Sequence, residues 1–353
     1  MSSETPFSDC PVPIAETEEI LLGHGSGGKL TAELIERILL PAFRNPALES
    51  LDDQAILPIP QVPGSRLAFT TDSYVVTPLF FPGGDIGELA VYGTVNDLAM
   101  GGARPLYLSL AFILEEGLPL ADLRRVVDSV RRAAERCGVS IVTGDTKVVG
   151  RGSGDKIFIN TAGIGIVPPG VDLSSRHVRA GDAILISGPI GDHGVAILSK
   201  REGLEFEGEI RSDTAPLHEL TAAMLEAFPR IHAMRDPTRG GVAATLVEIA
   251  SRQGLGMEVE EKRIPVTDAV RGACEILGLD PLHVANEGKL VAFVPEEGAE
   301  AVLDALRRNP EGRDAARVGR VTADHPGFVV LRTPVGGQRI LDVPFSEALP
   351  RIC

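Results

Sequence analysis

Basic residues are in the minority in this chain. Of 353 residues, 34 are lysine or arginine against 49 aspartate or glutamate, a net charge of -15. No overall basic field exists to draw in a nucleic acid backbone, so no nucleic acid partner is expected. Cysteine is scarce as well: Cys10, Cys137, Cys274 and Cys353 stand far apart. Without a CxxC pair, neither a zinc knuckle nor a disulfide framework is indicated. His24 and the other histidines have no metal-ligand spacing and read as core or surface residues. A long apolar run is also missing. Hydrophobic residues make up 44% of the chain, but glycines, prolines and charges break them up, and none of the runs reaches the roughly 20 residues that a membrane span needs. The opening "MSSETPFSDC" is acidic and polar, unlike the basic end and apolar stretch of an export signal. A soluble, cytoplasmic protein is expected.

Single cores of more than about 250 residues are uncommon, so the length predicts two domains. "RLAFTTDSYVV", "LYLSLAFIL", "VSIVTG" and "KIFINTAGIGIV" are apolar, β-branched and mostly bounded by glycine or proline, and read as strands. Between them "ADLRRVVDSVRRAAERCG" places Leu123, Val126, Val127, Val130, Ala134 and Cys137 on one helical face, with Gly138 suited to end the helix. Cys137 is therefore a core residue. "APLHELTAAMLEAF" and "GGVAATLVEIASRQG" read as later helices, the first with Leu217, Leu220, Met224, Leu225 and Phe228 on one stripe. The turn-rich stretch "PPGVDLSSRHVRAGD" marks a boundary. The expected organisation is two α/β or α+β domains in tandem, over 1–167 and 168–340, with an extended tail over 341–353.

"GHGSGGKL" fits GxGxxG through Gly23, Gly25 and Gly28, and most of a P-loop through Gly23, Gly28 and Lys29. Leu30 follows the lysine where a P-loop needs a hydroxyl for magnesium, and "LLPAFRNPAL" before Glu49 does not resemble the strand that a dinucleotide fold requires. Two readings remain: a glycine turn leading into the helix "LTAELIERILLPAF", or a flap whose amides and Lys29 approach phosphates. A second signal is acidic. "LDDQAIL", "TTDSYVV", "TVNDLAMGGARP", "TGDTK" and "RDPTRGG" each set an aspartate beside small or threonine residues at the end of an apolar segment. One such aspartate is a helix cap or turn residue. Five point to a site at strand ends and helix starts. Carboxylates about 4 Å apart repel by roughly 4 kcal/mol at an effective dielectric of 20, which a cation must offset. Oxygen-only donors favour magnesium, and magnesium so held bridges nucleotide phosphates.

In this order "GHGSGGK", "DDQA", "TTDSYVVTPLFFPGGDIGELAVYGTVNDLAMGGARP", "GDTKVV", "RDPTRGGVAATL", "NEGKL" and a terminal "PRIC" resemble the HypE family of hydrogenase maturation proteins, within the AIR synthetase-like (PurM-like) ATP-binding superfamily. The resemblance runs from about residue 20 to the end. It implies a PurM-like N-terminal domain whose sheet pairs with that of a second subunit, a PurM-like C-terminal domain, and ATP in the cleft between them. By motif, Asp53, Asp72, Asp97 and Asp236 would gather magnesium around the triphosphate, with Asp52 and Asp145 as further candidates. Asn96, Thr71 and Gly144 would lie close by, and Gly27, Gly28 and Lys29 would approach the phosphates.

The implied reaction gives the terminal Cys353 a task. The carbamoyltransferase HypF loads a carbamoyl group on its thiol. ATP then drives dehydration of the thiocarboxamide to a thiocyanate, and the cyano group passes to iron on the HypC–HypD complex, as a ligand of the [NiFe] hydrogenase centre. Ten extended residues reach at most about 35 Å, so a terminal thiol can visit several sites. Lys147 and Glu287 match the residues to which the family assigns proton removal. Glu287 is the natural acceptor, while Lys147 acts as a base if neutral or balances phosphoryl charge as a cation. Two other readings compete: another enzyme of the superfamily, such as a selenophosphate synthetase or thiamine monophosphate kinase, or a noncatalytic carrier of the carbamoyl group.

Overall fold

The structure, a computed structural model, describes residues 18–26, 28–49, 54–60, 62–204, 210–343 and 352. Asp52, Asp53, Gly27 and Cys353, all named above, lie outside them, as does most of the tail.

The four apolar segments of the N-terminal half are strands, as expected: β1 (Arg66–Tyr74), β2 (Arg104–Glu115), β3 (Ser140–Val149) and β4 (Ile157–Val167). They form one sheet in the order β1-β4-β2-β3. Its β2/β3 pair is parallel and its other pairs are antiparallel. A parallel pair needs a crossover, and α3 (Leu120–Cys137) supplies it. The helix buries Leu123, Val126, Val127, Val130, Ala134 and Cys137. The strand runs five residues past the segment read as "VSIVTG", so that Asp145 and Lys147 stand inside β3 and not beyond its end. Preceding them in the chain, α1 (Lys29–Leu34) opens the helical segment read from "LTAELIERILLPAF", which passes through a π-helical turn at Ile35–Leu39 before Leu40–Phe43.

Between sheet and crossover lies α2 (Ile86–Met100). Thirteen of its fifteen residues are buried, the exceptions being Glu88 and Asp97. A helix apolar on all sides belongs in an interior. Asp85 starts it, accepting hydrogen bonds from the amides of Gly87 (2.8 Å) and Glu88 (3.2 Å) and from the Ser129 hydroxyl of α3. Burial raises the Asp85 pKa, against the pull of these donors.

In the C-terminal half, α4 (Asp192–Glu202), α5 (His218–Ala227), α6 (Gly241–Gln253), α7 (Asp268–Leu277) and α8 (Ala299–Arg308) accompany a seven-stranded sheet. Its strands are β5 (Ala183–Ile186), β6 (Ala233–Arg235), β7 (Gly256–Glu260), β8 (Val291–Val294), β9 (Ala316–Thr322), β10 (Val329–Arg332) and β11 (Gln338–Leu341). They lie in the order β11-β10-β7-β9-β5-β8-β6. Successive side chains of a strand point to opposite faces. In β5, Ala183 and Leu185 join a cluster with Leu220 of α5 and Leu306 of α8, while Ile184 and Ile186 join one with Val242 and Leu246 of α6. Both faces are covered, and the strand reads as a continuous apolar run.

Beside a cluster wholly of the C-terminal half, the two halves share a core. The largest apolar cluster includes Leu89, Val95 and Phe112 of the first half together with Val195, Ile197, Val270, Cys274 and Ile352 of the second.

Asp85→Ala removes the cap of the central helix and leaves two buried amides unpaired. The expected loss is about 2 kcal/mol of stability in a denaturant titration, with Asp85→Asn retaining most of it.

Candidate active site

An acidic pocket of about 230 Å³ lies where β1, the end of α2 and two loops of the C-terminal half meet; its lining includes Asp72, Asp97, Arg235, Asp236, Arg239 and Glu287. Asp72 projects from the helix-covered face of β1, and its carboxylate accepts from the Ser73 amide at 2.8 Å. Asp97 is one of the two residues through which α2 escapes burial, and it accepts from the Thr70 hydroxyl at 2.8 Å. Asp236 follows β6 directly. Of these aspartates only Asp236 stands just past a strand end. Asp72 lies within β1 and Asp97 in the last turn of α2, which corrects the placement at strand ends and helix starts read from their flanks.

Gathering carboxylates away from water raises their pKa values. Burial, then the charge of Asp97, pushes Asp236 up to about 6. Burial and Asp72 raise Asp97, while Arg235 and Arg239 oppose the shift. Glu287 is raised well above the usual carboxylate range by burial, then by Asp213, Asp236 and Asp72. Its Oε1 is buried without a hydrogen-bond partner.

The backbone that carries Glu287 is held from two sides. Asp213 accepts from the amides of Glu287 (3.0 Å) and Gly288 (3.3 Å), and Lys289 Nζ lies 3.4 Å from it. A Cβ on Gly288 would collide with the backbone oxygen of Asp213, so only glycine allows this approach. From the other side Asn96 donates to the carbonyls of Ala215 (3.0 Å) and Glu287 (3.2 Å) and accepts from the Leu217 amide (2.8 Å). Asn96 was expected beside the nucleotide. Both of its amide hydrogens and its oxygen are instead engaged by the protein, and it ties α2 to the C-terminal half.

Gly144 and Asp145 lie elsewhere. They line a mostly apolar pocket of about 360 Å³, together with Thr31, Leu39, Phe43 and Phe112. Asp145 accepts from the Thr146 amide at 2.8 Å. Gly28 and Lys29 are exposed at the start of α1, whose Thr31 contributes to this pocket. Glycine is required in the loop before it, because a Cβ on Gly25 would strike the Val148 amide of β3.

The sheet register fixes how far apart the two groups are. Ser73, Asn160, Ala111 and Asp145 form one cross-strand row on the open face, and Asp72, Thr161, Leu110 and Gly144 form the next row on the covered face. Neighbouring strands are about 4.8 Å apart, so three steps separate the rows' ends by about 14 Å. Lys147 pairs with Ile113, on the open face. Within one chain, therefore, the structure brings together Asp72, Asp97, Asp236 and Glu287 but holds Lys147, Asp145 and Gly144 at the far edge. The expectation of a single cleft is corrected on this point.

Among the described residues, no three His, Cys, Asp or Glu side chains could hold a metal ion together. The acidic pocket nevertheless suits a hard cation in donor chemistry, since its four carboxyl groups outnumber its two arginines and offer oxygen donors only. The sequence reading missed Asp213, although "RSDTAP" gives it the same small and threonine neighbours as the chosen aspartates. It also passed over Arg235 and Arg239 inside "RDPTRGG", a motif it had quoted.

The family models for AIR synthase related protein match the chain over both halves, the N-terminal domain at residues 51–167 and the C-terminal domain at 179–332. This is thus a two-domain protein of the AIR synthase related, PurM-like class. Carbamoyl dehydratase HypE of Azotobacter vinelandii is 58% identical over 330 residues, which cover 94% of this chain and 96% of that protein. A crystal structure of hydrogenase maturation protein HypE in complex with ATP superposes with a TM-score of 0.90 at 52% identity, covering 94% of this chain and 99% of the other. HypE in a HypE–HypF complex gives 0.77 at 47%, covering 88% and 99%. The chain belongs to the HypE family.

The Asn96 joint generates its own test. Asn96→Ala leaves two carbonyls and an amide without partners in a buried place, and should cost about 3 kcal/mol of stability by calorimetry or denaturant titration.

Proposed function

We propose that this chain is an ATP-dependent carbamoyl dehydratase that converts a carbamoylated Cys353 to a thiocyanate. The observation that carries the reading is Glu287, a buried carboxylate with an unpartnered oxygen in a pocket shared with three aspartates. The relatives' printed name, carbamoyl dehydratase, and the ATP complex of a close structural neighbour point the same way.

The amide oxygen of the thiocarboxamide takes the terminal phosphoryl group of ATP, which makes it a leaving group. The C–O bond then breaks, phosphate departs with that oxygen, and both N–H protons leave as the C–N triple bond forms. Glu287 accepts a proton from nitrogen. Its raised pKa suits a group that must take a proton and then release it. Asp72, Asp97 and Asp236, with Asp53, would hold magnesium. When bound, the ion supplies charge neutralisation at the phosphates. The apolar pocket beside Gly144 is of a size and character to take a purine, with Lys29 and the amides of Gly27 and Gly28 near the phosphates.

Lys147 and Asp145 enter through a second copy of the chain. The open face of the N-terminal sheet exposes Leu67, Phe69 and Ile113, an apolar surface suited to burial in a homodimer. Thr71 and Ser73, on that same face, also line the acidic pocket. Face-to-face packing about a two-fold axis parallel to the strands sets the β3 edge of one copy against the β1 edge of the other, so Lys147 serves its partner's site. HypF as the source of the carbamoyl group, the HypC–HypD complex as acceptor of cyanide, and a cytoplasmic setting complete the proposal. No helix among the described residues is long and apolar enough to cross a membrane.

Mass spectrometry tests the chemistry. With HypF, carbamoyl phosphate, ATP and magnesium, Cys353 should gain a carbamoyl group and then lose one water. Glu287→Gln should bind ATP and stall at the carbamoyl stage, at least about 100-fold slower in water loss. Carbamoylation with no subsequent water loss in the unaltered protein would support a carrier instead. Mixed dimers test the composite site. Lys147→Ala and Glu287→Gln, each inactive alone, should recover roughly a quarter of full activity when exchanged together, since half of the dimers then contain one intact site. No recovery would place both groups in the same subunit's site.

A further inference from the structure

We infer that His193 is a positioning residue: backed by Ser212, it holds the C-terminal tail by the carbonyl of Ile352 and so sets where Cys353 is presented to Glu287. The purpose rests on the dehydration proposed above, but the contact itself does not.

His193 is the second residue of α4 and is fully buried. Its Nε2 lies 2.6 Å from the Ile352 carbonyl oxygen and its Nδ1 lies 2.8 Å from the Ser212 hydroxyl. A carbonyl can only accept, so Nε2 carries the hydrogen. In a neutral ring Nδ1 is then the acceptor, and Ser212 donates to it. Ser212 in turn accepts from the Thr214 amide (3.1 Å) and is 2.6 Å from the Thr214 hydroxyl, which has a hydrogen to give it. Every donor in this chain has an acceptor, and the arrangement selects one tautomer. Burial lowers the pKa of His193, which keeps the ring neutral as this pattern requires. The edge of the ring meets Phe81, with centroids 5.7 Å apart and an interplanar angle of 89°.

What the ring holds is the penultimate residue. Ile352 is only 4% exposed and belongs to the apolar cluster shared by both halves. One peptide unit beyond it, about 3.8 Å from Cα to Cα, comes Cys353. Pinning the Ile352 carbonyl therefore fixes the origin of the thiol's last few ångströms of reach. The other end of the relay leads to the proposed proton acceptor. Between Ser212 and Thr214 stands Asp213, which accepts from the amides of Glu287 and Gly288. One tripeptide thus braces both the residue that grips the tail and the loop that carries the base. A core histidine satisfied by any convenient oxygen needs no such connection.

The test reads access to the thiol. Alkylation of Cys353 by iodoacetamide is followed by mass on the Ala348–Cys353 peptide, released by cleavage after Glu347, which keeps Cys137 and Cys274 out of the signal. His193→Phe retains the ring's bulk and its contact with Phe81 but has no donor. It should alkylate about tenfold faster while still folded, though with a lower melting temperature, and His193→Gln, which can still donate from a similar position, should stay near the unaltered rate. In single turnover, His193→Phe should lose water from the carbamoylated tail about tenfold more slowly with ATP affinity unchanged, and His193→Gln should restore most of that rate. An unaltered alkylation rate in folded His193→Phe overturns the inference, as does equal acceleration in both variants. Should His193→Phe not fold, Ser212→Ala keeps the ring but releases its tautomer. Faster alkylation there supports the pin, and an unchanged rate overturns it. If alkylation responds while water loss is absent from the unaltered protein as well, the chemistry proposed above fails and the grip on the tail stands.

Discussion

The amide of Asn96 is the joint on which the acidic pocket depends. It projects from a helix buried on nearly every side and reaches backbone groups at Ala215, Leu217 and Glu287. A helix so enclosed has little freedom to tilt, and a buried amide with its polar groups engaged cannot turn without stranding them. The position of Glu287 relative to Asp97, one residue along the same helix from Asn96, is therefore set by packing and not by attraction. This matters because attraction could not set it. The pocket's carboxylates repel one another, and each raised pKa in it is a measure of that repulsion together with lost hydration.

A rigid frame that holds like charges together stores a demand for positive charge. Arg235 and Arg239 meet part of it, as their opposing effect on Asp97 indicates. The remainder is what a hard cation bound to phosphates would supply. The frame is thus preorganised for a ligand that brings its own metal and its own negative oxygens, and stays poorly compensated otherwise.

Much of this was legible in the sequence. The strands and the crossover helix follow from apolar alternation and a clear 3.6-residue stripe, so Cys137 could be assigned to the core from spacing alone. Asp72, Asp97 and Asp236 stand out by their small or threonine neighbours, whereas Glu287 could be chosen only through the resemblance to the family. The division of the site across the sheet was hidden. Strand order is a long-range property, and nothing local to "GDTK" tells that β3 lies at the opposite edge from β1. Nor does local sequence reveal that Asn96 faces the protein and not the pocket, since a ligand contact and a cross-domain tie call for the same amide. His193 was passed over because a lone histidine carries no pattern, and its partners lie 19 and 159 residues away along the chain.

The apolar cluster that runs from Phe112 through Val195 to Cys274 has one more implication. The two halves look like modules in a diagram, each with its own sheet, yet they are welded along an oily seam. A chain cut between them would bare the apolar residues that each half contributes to that seam. A half taken from another protein would have to bring a matching apolar surface to close the seam again.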